Sequence, residues 1–186
     1  NRQMVYDEFG QVPGGMFGGD EQMRPGYTGP RQAIETCAMV EMMHSCEMMF
    51  THIEGDIRWA DRCEDVAFNS YPAALTADMK ALRYLTAPNM PVSDRLNKSP
   101  DINNGGAMFI MNPHAHRCCQ HNHAHGWPYY AEHLWLATPD NGLCAMLYSE
   151  STVSAQVAGG QTVSLREKTH YPFSDTIGIE ISTRTN

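Results

Sequence analysis

The chain has 186 residues, 42% hydrophobic and 18% charged, with a formal net charge of −8. That balance supplies a globular core and excludes disorder as the default state, and its acidity argues against a nucleic-acid backbone as partner, because neutralising phosphates needs a basic surface. No run of about 18 apolar residues is present, so no helical membrane span is expected within these residues.

Residues 1 to 30 carry Gly10, Gly14, Gly15, Gly18, Gly19, Gly26 and Gly29 with Pro13, Pro25 and Pro30, a loop composition without a repeat. From Arg31 the pattern turns helical: Met39, Met42, Cys46, Met49 and Ile53 recur at spacings of three and four, one apolar stripe closed by Gly55. Asp56 is placed to cap a second helix over about 57 to 71, with Trp59, Cys63, Val66 and Ala67 on one face and Pro72 at its end. The short turn between the two predicts antiparallel packing. Short strands are expected at 82–86 and 107–111 around a polar loop, and Pro128 is read as opening a helix through Leu134 and Ala137. After the turn at 139–142 the pattern is β throughout: 143–148, 152–157, a Gly159, Gly160 turn, 162–169 and 176–183. Helices first and strands afterwards predict two units in sequence, 1–138 and 139–186. The alternating end of the chain, Ile177 to Ile181, reads as a strand wanting a partner, and both ends are expected to be cuts from a longer protein.

Six cysteines are too few for a disulfide scaffold, and adjacent Cys118 and Cys119 are poorly placed to bridge each other. With nine His, five of them between 114 and 125, the pattern favours metal chemistry. Glu35, Cys37, Cys118 and Cys119 make four ligands, the number that tetrahedral zinc takes. Positions i and i+2 lie about 200° apart on a regular helix, so Glu35 and Cys37 can serve one ion only from a helix start or a distorted first turn. Ordinary packing is the alternative: small buried thiols, and a first-turn carboxylate favoured by the helix dipole. Spacing alone leaves both open. Cys46, Cys63 and Cys144 read as core. The His114 to His125 cluster offers further ligands or polar groups of a loop lining a cleft, the second being favoured for most of them, and Trp127, Tyr129 and Tyr130 read as a flat surface for a ligand or as core.

Several motifs carry a resemblance: Pro13-Gly-Gly-Met-Phe-Gly-Gly-Asp-Glu21, Glu35-Thr-Cys-Ala38, Trp59-Ala-Asp-Arg-Cys-Glu-Asp-Val-Ala-Phe-Asn69, Cys118-Cys119 and Lys168-Thr-His-Tyr-Pro-Phe173. In order and spacing the chain resembles glycoside hydrolase family 127, the β-L-arabinofuranosidase type, from about residue 13 onward. The resemblance implies an α+β multidomain fragment, the end of a catalytic (α/α)6 barrel followed by the first strands of a β-sandwich. It further implies a Zn2+ ion held by Glu35, Cys37, Cys118 and Cys119, with Cys118 as nucleophile and Glu21 as acid/base, adjacent Asp20 being the competitor in a loop shorter than the family's. Tyr84 resembles a family tyrosine near the sugar, and His114 and Trp127 are placed with it as candidate substrate contacts. The segment after the cysteine pair, Gln120 to His125, departs from the family's Pro-rich one, so the sugar recognised can differ.

The expected function is a retaining glycoside hydrolase acting on plant glycans, with a carbohydrate as partner and neither nucleic acid nor membrane. Two alternatives stand beside it: a non-catalytic glycan- or partner-binding module with a structural zinc, and a zinc hydrolase that activates water directly. Nothing in the residues decides the compartment or the oligomeric state.

Overall fold

The computed structural model describes residues 34–86 and 117–183. The Gly-rich loop with Asp20 and Glu21, the strand expected at 107–111, and His114 and His116 lie outside them. The described chain is a mixed helical and sheet structure with small antiparallel sheets.

Strand β1 (Ile34–Glu35) is followed without a break by helix α1 (Thr36–Met48), so Ile34 and Glu35, read as part of the helical pattern, are strand. Tertiary pairing overrides the periodicity at this end. Strand β2 (Leu85–Thr86), the remnant of the strand expected at 82–86, lies antiparallel to β1 with Glu35 opposite Leu85. Thr36 pins the junction, its N–H donating to the Tyr84 carbonyl at 3.0 Å and its hydroxyl to the Arg83 carbonyl at 2.5 Å.

Met39, Met42 and Cys46 are buried as the stripe predicts, but Met49 is half-buried and Ile53 is 67% exposed. A π-helical turn over Met49–Ile53 is the cause, since its wider winding rotates the last residues off the buried face. Gly55 then takes φ +68°, the left-handed conformation that favours glycine at a helix stop. Asp56 caps the second helix, its carboxylate accepting the Arg58 N–H at 2.9 Å. That helix, α2 (Arg58–Asp65), passes through a second π turn (Val66–Ser70) into α3 (Tyr71–Ala73), so the helical run ends just past Pro72. It packs back along α1: Cys63, Val66 and Ala67 are fully buried, and the Cys63 thiol donates to the Met43 carbonyl.

The largest departure from the sequence reading is α4 (Arg117–Glu132), which contains the cysteine pair and His121 to His125 and encloses Pro128. The polar loop expected there is a helix. Residues of poor helical propensity are carried by packing: α4 lies along α1, and Gly126 lets it close onto Tyr71, where a Cβ would stand 2.6–2.7 Å from the ring. The Tyr71 hydroxyl donates to the His123 carbonyl at 2.5 Å. Leu134 and Ala137, read as helical, instead come after the helix end: Leu134 is buried in a turn and Ala137 closes β3 (Trp135–Ala137).

Strand β3 forms a hairpin with β4 (Leu143–Ala145) across the expected turn, where the Gly142 N–H donates to Thr138 Oγ1. The strand expected at 143–148 is thus shorter. A meander of β5 (Ser151–Val157), β6 (Gln161–Thr169) and β7 (Ile177–Thr183) comes next, within a residue or so of the sequence reading, with Val153, Leu165 and Ile181 in one register line. The meander is joined to the helices through Glu64. Its carboxylate accepts from the Tyr171 hydroxyl at 2.5 Å, the Tyr148 N–H at 3.3 Å and the Tyr130 hydroxyl at 3.4 Å, while Phe68 meets Tyr171 edge to face.

Gly126→Ala should lower the thermal unfolding midpoint by the equivalent of about 1–3 kcal/mol, because the new methyl has a ring and not open space before it. A midpoint within a degree of the parent would show that α4 does not need this close approach.

Candidate metal centre

Helices α1 and α4 run parallel: Cys37 meets Cys119 at their starts, and Glu47 approaches His133 toward their ends, Nδ1 to Oε2 3.8 Å. Parallel pairing places both helix N-termini at one point. The unpaired N–H groups and positive dipole ends found there favour thiolates and carboxylates over neutral forms.

Glu35 is the residue before the first turn of α1, with φ −74° and ψ 141°. Its extended backbone removes the 200° conflict with Cys37, because the carboxylate leaves from a strand and the sulfur from a helix. Cys118 and Cys119 sit in the first turn of α4. The Cys37 and Cys119 sulfurs stand 3.3 Å apart, and the Cys119 thiol lies 3.5 Å from Glu35 Oε1, donating to it. One donor atom from each of Glu35, Cys37, Cys118 and Cys119 falls within 4.8 Å of every other.

Those separations suit a shared ion. Two sulfurs bound tetrahedrally at about 2.3 Å stand about 3.8 Å from each other. Three thiols and a carboxylate also form a soft donor set of the kind that selects zinc-like or thiophilic metals. The group can hold a metal ion.

The protons report the same convergence of negative charge. The hydrogen-bonded contact with Cys119 outweighs burial and brings the Cys37 thiol down to about 5. Cys119 is pushed far up, first by the same contact with Cys37 and then by burial beside negative neighbours. Cys118 is raised by desolvation and by the Cys37 charge. One sulfur ionises readily and the others resist, the state of a cluster whose full ionisation needs a cation among the ligands.

Access divides the four. Cys119 and Glu35 are buried, Cys37 is half-buried, and Cys118 is exposed. Tyr84 is buried, and its carbonyl accepts the N–H of Thr36, the residue before Cys37. Trp127 is not gathered here: eight residues beyond Cys119, about 12 Å along the helix, it packs against Phe68, Tyr71 and Tyr130 and remains 41% exposed. His121 and His125 are exposed, and His123 stacks on Tyr71 at 4.4 Å. Cys46 and Cys63 are core thiols, as the sequence suggests, and Cys144 is half-buried in β4.

One polar feature escaped the sequence reading. Glu47 is fully buried between His44, 3.5 Å away, and His133, with Cys63 at 3.9 Å from its other oxygen, and burial raises its carboxyl. A Glu on the apolar side of a helical stripe was the signal available for it.

The family model described as beta-L-arabinofuranosidase, GH127 catalytic domain, matches residues 2–132. Among solved structures the chain is similar to one described as "Glycoside hydrolase", with a TM-score of 0.64 at 20% sequence identity, over 81% of this chain and 23% of that one. At that identity the likeness is one of fold, and the chain spans under a quarter of that protein's length. No curated protein matches the chain.

Metal content, measured by atomic emission on the full-length protein, should fall at least tenfold in Cys119→Ala and stay at the parent level in Cys144→Ala. Protons and metal compete for the same sulfurs, so metal should be released from the parent as the pH is lowered. Equal metal content in Cys119→Ala and the parent would show that the cluster is not the binding site.

Proposed function

Because the chain belongs to the GH127 beta-L-arabinofuranosidase catalytic-domain family, we propose that it is part of a retaining glycoside hydrolase that cleaves β-linked L-arabinofuranosides or related sugars of plant glycans. In this reading residues 1–138 are the end of an (α/α)6 barrel and 139–186 the opening strands of a β-sandwich. Zn2+ is the metal, held by Glu35, Cys37, Cys118 and Cys119. The observation that carries the proposal is the exposure of Cys118 beside a fully buried Cys119: a closed structural site hides all its ligands, whereas a catalytic one leaves a donor open to substrate.

When bound, zinc supplies the positive charge that keeps clustered thiols as thiolates at neutral pH. The Cys118 sulfur then attacks the anomeric carbon as the glycosidic C–O bond breaks, and Glu21 gives its proton to the departing oxygen. The product is a thioether between sugar and Cys118. Glu21, now a carboxylate, takes a proton from water, whose oxygen displaces the sulfur at the anomeric carbon and restores the thiolate. Two displacements retain the configuration. Glu21 lies outside the described residues and takes its role from the match to the family's Gly-rich loop, with Asp20 as its competitor. Tyr84, His114 and Trp127 are the candidate sugar contacts; the burial of Tyr84 against the Cys37 segment suits a supporting place, and the exposed edge of Trp127 suits a more distant subsite.

Activity of the full-length protein on an aryl β-L-arabinofuranoside tests the roles. Cys118→Ser and Glu21→Gln should each lower kcat at least a thousandfold while Asp20→Asn stays within tenfold. Parent-level turnover by Cys118→Ser would end the nucleophile assignment and favour a closed zinc module or direct activation of water.

A further inference from the structure

At the far end of the α1–α4 contact, about 15 Å along α1 from Cys37, stands a carboxylate that the proposed chemistry does not use. Glu47 is fully buried. From its own helix His44 brings Nδ1 to 3.5 Å from Oε2, from just past α4 His133 brings Nδ1 to 3.8 Å from the same oxygen, and from α2 the Cys63 sulfur stands 3.9 Å from Oε1. Other charged or titratable groups of these elements turn elsewhere: Arg62 lies over the Trp59 ring, His52 is exposed beside Thr51, Glu132 is exposed, and adjacent Cys46 is a core thiol pushed up to about 12 by burial. Two of the three facing groups are already engaged. His133 Nδ1 is 2.6 Å from the Tyr129 carbonyl, which only accepts, so its hydrogen is given there; the Cys63 thiol, a weak donor, also reaches the Met43 carbonyl at 3.7 Å. What remains is Glu47 Oε2 and His44 Nδ1, buried atoms that hydrogen-bond to no other described group.

We propose that the folded protein keeps one extra proton between Glu47 and His44, and that the pair is a pH-sensitive clasp: it packs the end of α1 against α4 while the proton is present and loosens when the proton leaves. Without that proton a carboxylate is buried opposite neutral groups, which is costly. With it, either the carboxyl O–H donates to Nδ1 or an imidazolium N–H donates to the carboxylate. In both forms the pair has no net charge and neither atom lacks a partner. Burial of the Glu47 carboxyl, which raises it, acts in the same direction. The His44 ring lies 5.1 Å from the Tyr129 ring of α4 while its side chain is 42% exposed, so the proton has a way out to water, and its loss leaves an anion between two helices that must part to rehydrate it. Above about 6.5, the ordinary imidazole value, an opened segment holds neither proton of the pair. The folded pair still holds one, so each further pH unit favours opening about tenfold until the folded pair gives its proton up as well.

Hydrogen exchange followed by mass spectrometry on the full-length protein tests the clasp, read in peptides that cover residues 44–53 and 127–136 and corrected for the intrinsic dependence of exchange on pH. In the parent, protection of these peptides should fall at least tenfold in total from about pH 7 to about pH 9. Glu47→Gln keeps the shape and has no proton to lose, so its protection should stay within about threefold over the same range. Glu47→Met fills the same space without a polar atom and should behave likewise, which keeps the comparison available if the amide variant fails to fold. Constant protection in the parent overturns the proposal whatever the variants do. An equal fall in the parent and in a folded variant overturns it as well, because the proton lost is then held elsewhere.

Discussion

The meeting of the Cys37 and Cys119 sulfurs at 3.3 Å is the constraint around which the helical part is arranged. It joins residues 82 apart in sequence and requires α1 and α4 to lie parallel, an arrangement a short connection cannot give. Antiparallel helices would put opposite dipole ends together and leave the cluster facing one helix N-terminus and one C-terminus. Parallel helices aim two positive ends at the same four donors. The β1–β2 pairing and the anchoring of Thr36 then determine where α1 begins, and with it the direction in which Cys37 leaves the backbone.

Holding α4 in that position falls to the aromatic residues. Gly126 admits the Tyr71 ring against the helix, and Tyr71, Phe68, Trp127 and Tyr130 pack ring against ring between α4 and the α2–α3 run, mostly edge to face. Glu64 continues the same contact into the β meander through three donors, one of them from Tyr171. Burial raises this carboxyl, and the three hydrogen bonds offset part of that cost. A polar knot at the junction between helices and strands therefore shares its aromatic neighbours with the helix that presents the cysteine pair.

The long periodic segments are legible in the sequence because their residues satisfy local rules and tertiary rules together. The α1 stripe from Met39 to Cys46, the Asp56 cap, the Gly55 stop and the strands of the β meander all stand within a few residues of where pattern places them. The misreadings share a cause. Ile34 and Glu35 continue a helical pattern but are drawn out by pairing with β2, and the His-rich stretch has the composition of a loop but is wound into α4 by contact with α1 and Tyr71. Pro128 reads as a helix start because a proline is well tolerated there, yet a helix held on one side by packing can carry it inside. The four candidate ligands are nameable from residue types and a family resemblance, while the demand that Glu35 stand outside the helix is a matter of geometry alone.

The adjacency of Cys118 and Cys119 also decides which sulfur can be reached. Successive residues on a helix point about 100° apart, so two neighbouring sulfurs reach one point only if one is directed into the helix interface and the other sideways along its rim. Cys119 takes the interior direction, against Cys37 and Glu35, and is fully buried; Cys118 takes the rim and is exposed. A cysteine pair at a helix start therefore separates a sulfur that anchors from a sulfur that is accessible, without any loop to hold them apart. A pair spaced by three or four residues would place both sulfurs on the interior face and close the site. The same spacing that makes a disulfide between neighbours unfavourable thus gives one cluster both a buried anchor and an accessible thiol.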